Sequence, residues 1–274
     1  MPTWHATVET ASWLTPVLVR VVLRGDGLAG FAMPDATDAY VNVAIPPQDA
    51  PYGPVFVPAE VREHHPEELW PARRRYTVRR WEPASGRLTL DVVVHGDEGV
   101  GGPWAARAEA GDVLVLEGPG GGYRPDPDAD WHLLVGDESA LPAIAASLEA
   151  VPAGRRAVVR LVCDGPDHEV DLPSPADLDV GWLHRSGDPG TDGTLLLHAL
   201  EELDLPAGRV HAFVHGEADE VRGIRRHLLT DRGIARADMS CSPYWRRTMT
   251  DEAWRRVKRD FVAQMDAEVG TGAA

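Results

Sequence analysis

The sequence changes its period once, and that change limits the fold more than any single motif. Up to Gly122, short apolar runs alternate with turn signals. Val17 to Leu23 is closed by Gly25-Asp26-Gly27, and Tyr40 to Ile45 is stopped by Pro46-Pro47. Arg75 to Trp81 and Leu88 to Val94 flank Pro83-Ala84-Ser85-Gly86, and Asp112 to Glu117 runs into Gly118-Pro119-Gly120-Gly121-Gly122. Short strands separated by turns predict a small antiparallel barrel. Tyr123 to Asp130 (YRPDPDAD) opposes regular structure and reads as a linker. Beyond it, strand patterns at His132–Val135, Ala157–Cys163, Val180–His184 and Val210–His215 alternate with helical ones at Leu141–Val151, Thr194–Leu203 and Asp219–Arg232. Gly233 ends the last of these, and the alternation predicts a parallel α/β sheet. A final amphipathic helix, Asp251–Val262, has Thr250 as its N-cap. The expected domains are 1–124 and 125–274, in line with roughly 150 residues per domain.

Composition narrows the function classes. The formal net charge is −16, which disfavours general binding to nucleic acid or to an anionic membrane. Cys163 and Cys241 have no CxxC partner, which excludes a cysteine-held iron–sulfur cluster or a cysteine-rich zinc site in this chain. The N-terminus lacks a basic start and a continuous apolar stretch, so no signal peptide is expected. No run reaches 18 apolar residues, so no membrane span is expected and the cytoplasm is the predicted location. No heptad pattern demands an oligomer, so a monomer is the default.

Several strand ends and turns carry chemistry. Arg74, Tyr76 and Thr77 lie on one strand, with Arg74 and Tyr76 on one face and Thr77 on the other. An arginine fork suits a pyrophosphate and a tyrosine ring suits a ring system; an exposed Arg-rich strand is the plain alternative. The turn His95-Gly96-Asp97-Glu98-Gly99-Val100-Gly101-Gly102-Pro103-Trp104-Ala105 leads into a helix start. Its glycines permit close approach of backbone N–H groups to phosphate oxygens. Asp137, Glu138, Ser139 and Ala140 follow the first parallel strand, where ligands collect in such sheets. An N-cap explains Asp137 and Ser139 equally well. Glu217 follows Gly216 at another strand end, where a hydroxyl contact and dipole complementation compete. Arg222 to Arg259 holds eleven basic and four acidic residues, a local positive surface that would focus an anion. Arg246 and Arg247 follow Tyr244-Trp245 in a Cys-Ser-Pro loop. There is no Ser/His/Asp hydrolase signature, no HExxH and no histidine cluster at metal spacing, so no metal ligand is assigned.

These segments stand in an informative order: RRYTVRR, VVVHGDEGVGGPWAARAEAGDVLVLEGPGG, LLVGDESALPAI, FVHGEADEVRGIRRHLL, and YWRR followed by EAWRRVK. Each is weak alone; five in order are specific. The chain resembles the siderophore-interacting protein family, flavin-dependent ferric-siderophore reductases that are themselves similar to the ferredoxin-reductase superfamily. The resemblance implies an N-terminal antiparallel barrel for FAD and a C-terminal α/β parallel-sheet domain for NAD(P)H, with a C-terminal helix. It implies flavin contacts at Arg74, Tyr76, Thr77, Val93, Val94 and His95, and a pyrophosphate loop at Gly99, Gly101, Gly102, Trp104 and Ala105. It assigns Asp137, Glu138, Ser139, Ala140, Gly216 and Glu217 to the nicotinamide nucleotide, and Tyr244 and Trp245 to the flavin's neighbourhood.

Three positions depart from the family pattern. Pro243 precedes Tyr-Trp where glycine is usual, Thr248 follows the arginine pair where glycine is usual, and Asn42 replaces a lysine. A stiffer, differently shaped loop is expected at Pro243. The implied activity is reduction of a ferric siderophore, releasing Fe(II), with electrons from NADPH or NADH through FAD. No catalytic acid or base is needed for electron transfer, and Arg246 and Arg247 are the candidate substrate contacts. Arg185, just past a strand end, is a candidate for a 2′-phosphate. A flavin reductase with another acceptor, such as a redox protein, and a non-catalytic binder are the alternatives.

Overall fold

The computed structural model describes residues 1–97, 99–186 and 193–270; Glu98 of the glycine-rich turn lies outside them. The chain divides into two compact units, Met1–Arg124 and Pro125–Ala274.

The first unit is a closed barrel of six antiparallel strands: β1 (Thr3–Thr15), β2 (Leu18–Arg24), β3 (Tyr40–Ile45), β4 (Ala72–Glu82), β5 (Arg87–Val93) and β6 (Val113–Gly120). Their order around the barrel is β1-β2-β5-β4-β3-β6. The seven-residue helix α1 (Pro58–His64) lies between β3 and β4, and α2 (Gly101–Arg107) between β5 and β6. Inward-facing Val21, Leu23, Val41, Val43, Leu90 and Leu116 are buried together. β1 was not foreseen, although it closes the barrel by pairing with both β2 and β6. Its buried positions Ala6 and Val8 are small and interleaved with Thr7 and Glu9, so its apolar signal is weak.

The second unit holds β7 (Trp131–Gly136), α3 (Leu141–Ala150), β8 (Arg156–Cys163), β9 (Asp177–His184), α4 (Leu195–Glu201), β10 (Val210–Glu217), α5 (Ala218–Thr230), β11 (Met239–Trp245) and α6 (Asp251–Gly270). All strand pairs are parallel, in the order β11-β10-β7-β8-β9. The order reverses between β7 and β10, which opens a crevice beyond their carboxyl ends. Trp131, Leu133 and Val135 of β7 pack with Val221, Ile224 and Leu228 of α5 in one buried cluster.

Tyr123 to Asp130 is irregular, as its Pro and Asp content predicts, yet each end is tied to its own unit. Tyr123 accepts from the Thr37 N–H, while the Asp126 N–H donates to His211 Nδ1. Two expectations need correction. Tyr244 and Trp245 are not in a loop: residues 239–245 form β11, the edge strand beside β10. Pro243 is tolerated because an edge strand has no further neighbour to receive its missing N–H. The last helix does not stop at Val262 but reaches Gly270, buried through Trp254, Phe261 and Met265. Thr250 caps it as expected, its Oγ1 accepting from Ala253 N at 3.2 Å. Among the described residues, no helix is long and apolar enough to cross a membrane.

Candidate functional site

In the barrel unit, the register sets Tyr76 opposite Val41, Arg74 opposite Val43 and Thr77 opposite Tyr40. Arg74 and Tyr76 therefore share a face, and Thr77 is buried on the other. The first turn of α2 lies directly on this motif. A Cβ on Gly101 would overlap the Tyr76 hydroxyl and sit 3.3 Å from Arg74 Cγ. A Cβ on Gly102 would sit 3.4 Å from Val94 Cα and 3.5 Å from the Val93 carbonyl oxygen. The glycines thus admit a helix start against the strand ends where a side chain would hold it off. Arg74, Tyr76, Val93, Val94, Gly101 and Gly102 form one neighbourhood; Ala105 is buried and Trp104 packs on the barrel core. His95 and Gly99 are exposed at its edge. Asn42 is 1% exposed, and neither its Oδ1 nor its Nδ2 has a hydrogen-bond partner. Its cross-strand partner is Arg75, whose guanidinium lies 4.1 Å above the Tyr40 ring.

In the second unit, the crevice between β7 and β10 is knitted by Asp137, 1% exposed. One carboxylate oxygen accepts from the Ser139 N–H and hydroxyl. The other accepts from Glu217 N at 2.9 Å and Trp245 Nε1 at 2.7 Å. Gly216, at φ +147°, makes room: a Cβ there would be 2.7 Å from Asp137 Oδ2. Glu217, also buried, caps α5 by accepting from Asp219 N and Glu220 N, and its other oxygen accepts from Arg247 N. The dipole-complementing reading of Glu217 is therefore realised in the structure. Ala140 is the N-cap residue of α3 and is fully buried. Glu138 accepts from both terminal guanidinium nitrogens of Arg185, at 2.7 and 2.9 Å, and Arg185 also donates to Asp164 at 3.0 Å.

A pocket at this carboxyl edge is lined by Val162, Arg185, Leu195, Glu217, Glu220, Trp245 and Arg247. Glu220 is 6% exposed; burial pushes its carboxyl up to about 7, against the opposing hydrogen bond from Leu196 N. Sequence reasoning missed Glu220, whose place on α5 resembles any first-turn acid. It also missed Asp164, the first residue past β8. That position after an apolar run was the available signal. His215 stacks on Phe213 at 3.8 Å and meets Tyr244 edge-on at 4.9 Å; burial lowers its pKa to about 3.

Part of the positive surface expected from Arg222 onward is tied up in contacts within the unit. Arg222 pairs with Glu268, Arg225 with Asp266, and Arg236 with Asp266. Arg232 donates to the carbonyls of Leu200, Glu201 and Leu203. The two acids lie past residue 259, on the part of α6 that the sequence reading omitted. Arg246 is held 3.4 Å from Asp219 and 5.1 Å over Phe261. Thr248 keeps a left-handed backbone, φ +62°, the conformation a glycine adopts freely.

Residues 129–248 match the siderophore-interacting protein family, and residues 7–123 match the siderophore-interacting FAD-binding domain. The chain is 38% identical over 246 residues to the ferric vibriobactin reductase ViuB of Vibrio cholerae, covering 86% of this chain and 87% of the relative. It is 30% identical over 215 residues to the NADPH-dependent ferric-chelate reductase of Escherichia coli, covering 76% and 80%. A crystal structure of a siderophore utilization protein from T. fusca superposes with TM-score 0.79 at 35% identity, covering 91% of this chain and 95% of the other. The fold alone is shared with a ferredoxin reductase acting in carbazole 1,9a-dioxygenase, at TM-score 0.62 and 18% identity, covering 89% and 68%. A barrel followed by a parallel sheet, ordered motifs in both units and relatives matched along most of their length lead to one assignment: the chain belongs to the siderophore-interacting protein family.

Proposed function

We propose that this chain is an FAD-containing reductase that takes electrons from NADH or NADPH and delivers them to a ferric siderophore. The observation that carries the reading is the contact between Gly101 and the Arg74-Tyr76 pair, which joins two separate flavin-type motifs into one cradle. When bound, FAD supplies the exchange between two-electron hydride chemistry and one-electron transfer. Arg74 would pair with the pyrophosphate and the Tyr76 ring would flank the isoalloxazine, while Thr77, buried on the other face of the strand, would hold that strand in place beneath them. Backbone N–H groups of Gly99, Val100, Gly101 and Gly102 would line the phosphates, because no side chain intervenes at Gly101 and Gly102.

The α/β unit would take the nicotinamide nucleotide at the crevice beyond β7 and β10. There the Asp137 carboxylate holds the β7, β10 and β11 ends in register, and Glu217 fixes the start of α5. Their carboxylates shape the crevice rather than transfer protons. Arg246 and Arg247 are assigned to an anionic chelate on charge. Asp219 and Phe261 hold Arg246, and the Trp245 ring lies under Arg247.

The test is an anaerobic absorbance spectrum of the FAD-loaded chain, before and after NADH or NADPH, then with a ferric siderophore and an Fe(II) indicator. Bleaching followed by recovery as Fe(II) appears is the expected result. Bleaching without recovery moves the search to a protein acceptor. A chain that takes up no FAD refutes the enzyme reading and leaves a binder.

A further inference from the structure

We propose that the carboxyl edge of the parallel sheet selects NADH over NADPH, with Asp164 accepting the ribose 2′-hydroxyl and Glu138 denying Arg185 to a 2′-phosphate. The inference rests on the nucleotide-dependent reading above and names the donor within it. In sheets of this order, an acid at the end of the second strand binds the ribose 2′-hydroxyl of NAD, while a nearby arginine accommodates the extra phosphate of NADP. β8 follows β7 in the chain and lies beside it in the sheet, so its carboxyl end is that position. Asp164 is the first residue past it, with its side chain half exposed.

A 2′-phosphate would bring about two negative charges to this place and would require a cation to receive them. Among the described residues, Arg185 is the guanidinium paired with Asp164, but it is already committed. Its two terminal nitrogens span the Glu138 carboxylate at 2.7 and 2.9 Å, and one of them also reaches Asp164 at 3.0 Å. The side chains of Arg185 and Glu138 are only 18% and 14% exposed. Turning Arg185 toward a phosphate would strand the Glu138 charge in a partly desolvated place, the costly way to break such a pair. The remaining charged neighbours deepen the negative field: Asp167 is exposed, and Glu169 faces His184 at 2.8 Å. His168, 3.8 Å from Asp167, is a weak counterweight. The arginine that the sequence offers to a 2′-phosphate is thus a structural cation that holds two acids in place.

Two measurements on the full FAD-loaded chain test the inference. Calorimetric titration with NAD⁺ and with NADP⁺ gives affinities without turnover. The rate of flavin bleaching at varied NADH and NADPH gives the ratio of kcat/KM. The expected wild-type preference is NADH by about tenfold or more, the factor set by a single like-charge contact. Asp164→Asn weakens NAD⁺ and narrows the ratio; Asp164→Arg reverses it. A wild type that takes NADPH equally or better overturns the inference, as does a ratio that Asp164→Asn leaves unchanged. If neither nucleotide binds nor bleaches the flavin, the nucleotide-dependent reading falls and this inference falls with it.

Discussion

Replacing Asp137 by asparagine keeps the shape of the side chain and changes only its hydrogen-bonding character. In the wild type all four donors around Asp137 meet carboxylate oxygens: two from Ser139, one from Glu217 and one from Trp245. An asparagine must turn its NH₂ toward one pair. The better choice faces Ser139, whose hydroxyl can rotate to accept, but the Ser139 N–H then meets a donor. One orphaned, partly buried N–H costs about 1–3 kcal/mol, and each of the two remaining bonds loses about 1 kcal/mol as it ceases to be charge-assisted. The sum is about 3–5 kcal/mol, a melting shift of roughly 6–20 °C for a unit of this size. Calorimetric and urea unfolding of the full chain measure the loss, and an NAD⁺ titration of the same variant measures binding. A variant of unchanged stability that has lost nucleotide affinity would refute the reasoning, because the carboxylate would then serve the ligand rather than the strand ends.

Further outcomes follow from other sites. Thr248→Gly relieves a β-branched residue held at φ +62°, a strain of about 1–2 kcal/mol. A looser unfolded chain returns roughly 0.5–1 kcal/mol of that, so a modest rise in melting temperature is expected and a fall would contradict the strain argument. Gly101→Ala places a methyl group against the Tyr76 hydroxyl; FAD retention through gel filtration should drop at least about tenfold, and full retention would remove the cradle. His132 is fully buried with neither ring nitrogen partnered, and burial lowers its pKa from 6.5 to about 4. The unfolded chain takes up this proton first as pH falls. Stability contributed by the neutral ring is complete above pH 6.5 and is lost as pH drops toward 4. His132→Leu should flatten that limb of a stability–pH curve, and an unchanged slope would exonerate the residue.

Local pattern carried most of the secondary structure, because strand and helix periods and their turn residues are neighbours in the chain. Barrel and sheet were legible this way, as was the cap at Thr250. The exceptions are elements whose stability comes from partners. β1 is held by β2 and β6 on either side, β11 survives Pro243 because it is an edge strand, and the far end of α6 is fastened by Arg222 and Arg225.

The site divides along the same line. The chain order alone placed an arginine, a tyrosine and a glycine turn as flavin-type motifs and put acids at strand ends. It left open what each charge faces. Asp137 meets Trp245 from 108 residues away, and Arg185 meets Glu138 from 47 away. Residues that far apart meet only once the sheet has set which strand ends lie side by side. Electrostatic energy depends on distance through space and on burial, neither of which is written along the chain. The sequence by itself therefore determined the two-part architecture and the residue types offered to ligands. The tertiary structure decided which of them are occupied with holding the protein together, and so turned a phosphate-type arginine into the counter-ion of two carboxylates.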